Sequence, residues 1–442
     1  MVHAFYDDLG EWAMRGNSTV AMIVLVGALL PAAGAAAQDD AALLRDGLFT
    51  RDRNVSVTER PKPEYQALPV RAGAFIFDPT IAAGLEYNDN IYAANTPKIS
   101  DTIVHVQPSL TVQSDWSRNQ ISGFARINGN YYVDHGSEST TDYAVGGAGR
   151  LDVQRDLGFA AGASYEHDTE ARTSEAETAL SKNPIRYDLA DAYVEGTKEF
   201  NRLRLTARGE VTDYSYDNGI TPAGLQVYEK DRDHTQTTEA FKAEYAYLPD
   251  VSFLGSVVVN QRDYRSQLPG EVSRSSSGYE ATVGSNFDLT HLMRGEVFVG
   301  YLDQDYNNNS VYRNVSGFAA HGKIEYFPTQ LLTVTLSGSR SVQDSGIFNV
   351  GGFLNNVGGV QADYEILRNV ILTGALSYTE DDYQNYSRTD KIGSEQISLV
   401  YLMNRAISVN LSYAHLNQDS SGTNKGPTYD INRVIGSLAY RF

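Results

Sequence analysis

The chain has 442 residues with 55 acidic against 36 basic side chains, a net charge of −19, so nucleic acid is not an expected partner. It contains no cysteine, which removes both disulfide frameworks and thiolate metal sites. With 29 Tyr and 38 Gly against 13 Pro, the composition favours strands joined by tight turns.

The first element in chain order is the one long apolar run, Val20 to Leu30, preceded by Arg15 and followed by Ala35-Ala36-Ala37. It is too short to cross a bilayer as a helix and has the form of a secretory signal cleaved after Ala37. Residues 1–13 lack signal character, which makes Met14 a plausible start. The expected division is 1–37 as extension and signal, 38–73 as a periplasmic leader and 74–442 as one large domain. A short helix is expected near Ala41–Leu48, and Thr58 to Tyr65, with Pro61 and Pro63, is the stiffest part of the leader.

From Phe75 onward a strand-like run, a very short connector, another run and a longer polar connector alternate to the chain end. The short connectors are Ser114–Asn119, Gln154–Asp156, Phe200–Arg202, Leu248–Asp250, Leu289–Leu292, Phe327–Gln330, Ile366–Asn369 and Met403–Arg405. Longer ones lie near 88–101, 135–140, 173–185, 218–230, 266–274, 307–315, 345–356, 384–390 and 420–427. This rhythm predicts an all-β transmembrane antiparallel barrel of about 18 strands, 16 being the alternative, with short periplasmic turns and longer outer loops. The runs about Arg186–Phe200 and Asp390–Leu402 alternate less cleanly.

The two faces separate by parity, as side chains do along a strand. Leu203, Leu205, Ala207 and Val211 oppose Arg204, Arg208 and Glu210, and Leu332, Val334 and Leu336 oppose Thr333, Thr335 and Ser337. The expected lumen residues are Arg126, Arg150, Asp152, Arg204, Arg208, Glu210, Lys242, Glu244, Arg262, Glu280, Glu296, His321, Lys323 and Glu325. Their mixed signs suit either a transverse field or mutual pairing. Trp116, Phe159, Phe200, Tyr247, Tyr326-Phe327 and Phe442 gather where runs meet short turns, as an interfacial girdle would.

The segment Ile76-Phe77-Asp78-Pro79, then Leu85-Glu86-Tyr87-Asn88-Asp89-Asn90-Ile91-Tyr92 and Ile103 to Leu110, follows Arg60-Pro61-Lys62-Pro63-Glu64-Tyr65. It resembles the outer-membrane "putative beta-barrel porin 2" family over roughly 60–442, most specifically in the first two strands. Asn88 stands where Asp is more usual. The resemblance implies a barrel of the kind often tied to exopolysaccharide and capsule export. The expected function is then a passive conduit for extracellular polysaccharide, with a general or selective small-solute porin as the alternative.

Asp134-His135 and Asp233-His234 could hold a base of a surface hydrolase, but their plainer reading is a polar strand end meeting a loop. Asp381-Asp382, Asp101 and Asn88-Asp89-Asn90 offer oxygen ligands without a calcium-loop signature. Gly351-Gly352 and Gly358-Gly359 read as turn and bulge glycines. No enzyme activity, cofactor or metal is expected. The leader is too short for the plug of an energised receptor, although it could enter the lumen or touch periplasmic export components.

The chain ends in a half-apolar strand. Val434, Gly436, Leu438, Tyr440 and Phe442 share one face, and Arg433, Ser437 and Arg441 the other. Gly436, Leu438, Tyr440 and Phe442 form the expected signal to the barrel-assembly machinery, and outer-membrane lipid and lipopolysaccharide are the expected surroundings.

Overall fold

The computed structural model describes residues 55–442 except 176–180, 269, 291 and 348. The proposed signal, its cleavage after Ala37, the Met14 start and the Ala41–Leu48 helix lie outside the described residues. Eighteen long strands form one antiparallel ring. In chain order they are β1 Phe75–Asn88, β2 Asp101–Ser114, β3 Gln120–Tyr132, β4 Thr140–Gln154, β5 Leu157–Thr169, β6 Arg186–Phe200, β7 Leu203–Tyr216, β8 His234–Leu248 and β9 Val251–Tyr264. They continue as β10 Ser276–Leu289, β11 Met293–Tyr306, β12 Val315–Thr329, β13 Leu332–Asp344, β14 Gly352–Leu367, β15 Val370–Tyr383, β16 Thr389–Leu402, β17 Ile407–Ser421 and β18 Tyr429–Arg441. Both less regular runs, β6 and β16, are full members of the ring.

Each strand pairs with its sequence neighbours, and β1 closes on β18 from Thr80↔Arg441 to Asn88↔Arg433. Closure leaves no long open edge, so the backbone donors and acceptors are satisfied without water. Where β18 ends, the Phe442 amide donates to Pro79 O at 3.2 Å. Below that point the short segment Val70–Ala72 takes over the same edge, pairing Val70↔Phe77 to Ala72↔Phe75. Gly73, at φ +61°, makes the reversal between them.

At the long-loop end, the Asn88-Asp89-Asn90 motif fastens this seam. Asp89 accepts the Asn432 backbone amide at 2.7 Å and its side-chain amide at 2.8 Å. Buried Asn90 donates to Asp430 O at 3.0 Å and Ala94 O at 2.8 Å. These side chains hold the chain rather than an ion.

The barrel is apolar outside and polar inside. Val194 and Val283 are each 64 % exposed, whereas Glu244 is fully buried. A water-soluble sandwich would have the reverse arrangement, so this outward apolar surface marks a lipid-facing wall. β11 shows the parity clearly: Val297, Val299 and Tyr301 face out while Phe298 and Leu302 face in and are buried.

Two exposed aromatic belts bound the apolar wall. Trp116, Phe159, Phe200, Tyr247, Tyr326 and Phe442 lie at the short-turn end, and Tyr87, Tyr131, Tyr279, Tyr301, Phe318 and Tyr413 at the other. Phe327 is a correction to the expected girdle. The alternation that turns Glu325 inward turns Phe327 inward as well, where it is buried with the Arg294 guanidinium 5.6 Å from its ring. Gly358-Gly359 is a second correction: the pair sits in unbroken register against Gly338, Ser337, Tyr378 and Ser377, and forms no bulge.

The lumen and its two mouths as the candidate functional site

All fourteen expected lumen residues share the inward parity of their strands, but the structure groups them by pairing. Arg126 meets Glu166 at 3.0 Å, and Arg208 meets Glu210 at 2.6 Å and Glu195 at 3.9 Å. Arg150 lies 3.3 Å from Asp152, Arg204 3.5 Å from Glu199, and His321 2.8 Å from Glu280. Arg294 bonds Glu325, and Lys323 reaches Glu325 at 3.7 Å while keeping 61 % of its side chain exposed. Lys242 and Glu244 are buried on β8, and Glu296 is partly buried on β11. These pairs neutralise much of the wall's charge internally, so mutual pairing accounts for most of these side chains.

This charged wall belongs to β3–β12. The inward positions of β13–β17 are largely neutral and polar, including Thr333, Thr335, Ser337, Ser339, Gln361, Thr373, Ser377, Gln396, Ser398, Asn410 and Ser412. A list of charged residues misses this half. Its sequence signal was the Ser/Thr alternation opposite the apolar positions.

The leader occupies the short-turn mouth in front of β11–β16. The Val57 amide donates to Thr333 Oγ1 at 3.0 Å, and Val57 is fully buried. Glu59 bonds Arg294 at 2.5 Å, and Lys62 and Arg60 reach Glu365 at 3.3 and 3.5 Å. Glu64 pairs with Arg368 at 2.8 Å, and Tyr65 packs on Val400 and Leu402. Burial alone would raise the Glu59 carboxyl, but the Arg294 guanidinium more than offsets it and holds it below its ordinary value. The hydrogen bond from Arg368 lowers Glu64 likewise.

At the opposite mouth, residues 170–175, which follow β5, fold inward. Glu175 accepts the Gly346 amide at 2.7 Å, the Ser345 hydroxyl at 3.2 Å and the Tyr383 hydroxyl at 2.9 Å. Gly346 lies between β13 and β14, and Tyr383 ends β15. On an 18-strand ring those positions are close to diametrically opposite β5, so the described residues 170–175 reach across the mouth. Burial pushes the Glu175 carboxyl above its ordinary value.

Neighbouring loops brace it. Arg232 bonds Glu170 at 2.7 Å and Glu229 at 3.1 Å. Arg274 bonds Asp231 at 3.1 Å and Ser345 O at 2.6 Å. Asp344, at the end of β13, ties in β9 and β11, accepting Arg262 at 2.7 Å, the Tyr264 hydroxyl at 2.8 Å and the Tyr306 hydroxyl at 3.0 Å. Parity identified Arg262 as a lumen residue, but not its role in bracing the mouth.

The two histidines weighed for catalysis fall into this framework. His234 is sandwiched between Tyr214 and Tyr264, with centroids 4.4 and 4.7 Å away, and its Nδ1 sits 2.8 Å from Arg232 O. His135 Nδ1 lies 2.9 Å from Asp101, which also accepts the Asp134 and His135 amides. Asp101 is thus part of a loop clasp. Among the described residues there is no group of three or more His, Cys, Asp or Glu placed to hold a metal ion.

A closed barrel with an apolar outer wall, aromatic belts and a polar lumen defines the class of outer-membrane porin-type β-barrels. The chain belongs to the family "Putative beta-barrel porin 2", whose model matches residues 62–442. Membership and architecture together indicate an outer-membrane location. No curated protein matches. Among solved structures, the chain is similar to the outer membrane protein OpdK of Pseudomonas aeruginosa, at 10 % identity over 83 % of this chain and 99 % of that one, TM-score 0.45. It is also similar to the copper transporter OprC, at 10 % identity over 85 % and 82 %, TM-score 0.46. OccK2 of P. aeruginosa, solved with glucuronate, gives 9 % identity over 83 % and 98 %, TM-score 0.47.

Proposed function

We propose that this protein is an integral bacterial outer-membrane conduit for export of an extracellular polysaccharide, held closed at both mouths in its resting form. One observation carries the reading: the chain occupies its own lumen from both ends, with 55–68 in the short-turn mouth and 170–175 across the other. A constitutive solute porin works through a standing path, whereas a polymer conduit must be shut between passages. Its lumen should offer many weak, replaceable hydrogen bonds rather than one tight site. The exopolysaccharide and capsule association that the family resemblance implies supports the same reading.

The leader faces the side where periplasmic export components would meet the barrel and release its ion pairs. Outer-membrane lipid and lipopolysaccharide surround the apolar wall, and the exposed Phe442 is presented to the assembly machinery. The reading assigns the chain no catalytic step and no cofactor. Deleting the gene should abolish or sharply reduce the secreted polymer, measured as cell-free carbohydrate and its sugar composition. An unchanged polymer with reduced uptake of small solutes would replace this reading with that of a solute porin.

A further inference from the structure

We infer that the neutral inner wall of β13–β16 is the translocation track, and that it takes uncharged, polyhydroxylated glycan in preference to acidic glycan. This rests on the conduit reading above and adds the class of its cargo.

Thr335, Ser337 and Ser339 follow one another along the inner face of β13, where each remains at least partly exposed. In register, Thr335 faces Gln361 on β14, and the same ladder runs through Ala375 to Gln396 on β16. Ser337 faces Gly359, which faces Ser377 on β15. A Cβ at Gly359 would come within 3.0 Å of Ser337 Oγ, so glycine here leaves the hydroxyl and adjoining backbone uncovered. The Thr335 and Ser337 levels thus carry hydroxyl, amide and small side chains, and the Ser339 level above them continues through Val357 and Thr379 to Ile392. Such a surface can exchange hydrogen bonds with sugar hydroxyls or with water at nearly equal cost, as passage rather than capture requires.

The charges near the track choose between cargo classes. Among the described residues, the inward strand positions of β13–β16 hold Asp363, Glu365, Asp381 and Asp390 but no Lys or Arg. Glu365 is engaged by Arg60, Lys62 and Arg368 and Asp390 by Arg388, whereas Asp363 and Asp381 accept from the neutral groups Gln361, Thr373 and Asn355. An acidic polymer there would meet like charge from these two in a confined space, and a neutral one would not. The cations of the facing wall are largely engaged with their own carboxylates, as described above.

The leader marks the entrance to the track. Val57 takes the hydroxyl of Thr333, the inward residue immediately below Thr335, roughly 7 Å along the strand. A backbone amide thus fills a hydrogen bond that a sugar hydroxyl could take once the leader leaves.

The test uses the full chain in proteoliposomes, alone and as a leader-released chain carrying Arg294→Ala and Arg368→Ala, which free Glu59 and Glu64, together with Glu175→Ala, which frees the segment across the other mouth. The probes are labelled maltoheptaose, a matched oligogalacturonate, and potassium chloride conductance as a separate readout. The leader-released chain should pass maltoheptaose several-fold faster than the uronate. Adding Gln361→Leu and Ser337→Val should lower maltoheptaose flux about five-fold, with salt conductance and heat-modifiable gel mobility unchanged. Arg208→Gln on the facing wall should leave that flux as it was.

Equal or faster uronate flux, or no effect of the track substitutions, would overturn the inference. If salt passes but neither sugar does, the cargo inference fails while a channel remains. If a correctly folded, leader-released chain passes neither salt nor sugar, the conduit reading fails with it.

Discussion

At the scale of single residues, two glycines flank the closing seam, Gly84 and Gly436, and sequence alternation alone cannot rank them. Gly436 belongs to the expected assembly signal and faces lipid, and a Cβ there would meet nothing within 4 Å. Gly84, across the same seam, would bring a Cβ within 2.9 Å of Ser437 Cβ and 3.1 Å of Gly436 O. Gly436→Ala should therefore leave folding nearly unchanged. Gly84→Ala should lower stability by about 1–3 kcal/mol through overpacking, read as a shift in urea unfolding in lipid or detergent. Equal effects of the two would contradict this account of the seam. Residue polarity was legible in the sequence wherever a strand is wet on one side and lipid-covered on the other, as on β7 and β13. Phe327 turns inward because parity with Glu325 sets its face, and clustering of aromatics near a turn does not distinguish the two faces.

At the scale of elements, the strands were legible and the inward-folded segments were not. Alternation weakens on β6, where outward Ala190 and Ala192 are small, and on β16, where outward Lys391 and Glu395 replace apolar residues. Both strands are fixed instead by ladders on either side. A polar loop has the same composition whether it faces the medium or turns into the lumen, so nothing before the fold showed that residues 170–175 reach across the mouth.

Acid should act oppositely on the two blocking elements. Glu59 and Glu64 have lowered values when docked, so their stabilisation is complete above the ordinary carboxyl value of 4.5 and is lost as pH falls through the docked values. The groups facing them are Arg294 and Lys323 for Glu59, and Arg368 and Lys62 for Glu64. Glu175 has a raised value, so docking of its loop is strongest below 4.5 and weakens as pH rises through the docked value. Around Glu175, Arg388 and Arg232 partly offset the effect of burial.

Because the chain has no cysteine, one spin label at Thr58→Cys reports the leader alone. Its spectrum should be immobilised at neutral pH and sharpen as the pH drops below the carboxyl range. A label that is equally immobile throughout would show that these ion pairs do not hold the leader.

At the scale of the whole molecule, the fold is a barrel wall whose two halves differ. β3–β12 carry paired charges, β13–β17 carry mainly neutral polar groups, and the two blocking segments meet near the latter half. The leader seats on β11–β16, and the outer connector reaches the loop between β13 and β14 and the end of β15. Strand number, turn asymmetry and seam could be read from sequence because a closed ring leaves few alternatives. The docking of the two mouth segments could not, because it depends on contacts between segments far apart in the chain, such as Glu59 with Arg294 and Glu175 with Tyr383.

Single-channel conductance of the purified full chain tests the proposed closed resting form most directly. The native protein should be nearly silent in potassium chloride. The chain carrying Glu175→Ala with Arg294→Ala and Arg368→Ala should open to the large, steady conductance of a wide barrel. A native protein that already conducts at that level, unchanged by the three substitutions, would contradict the account.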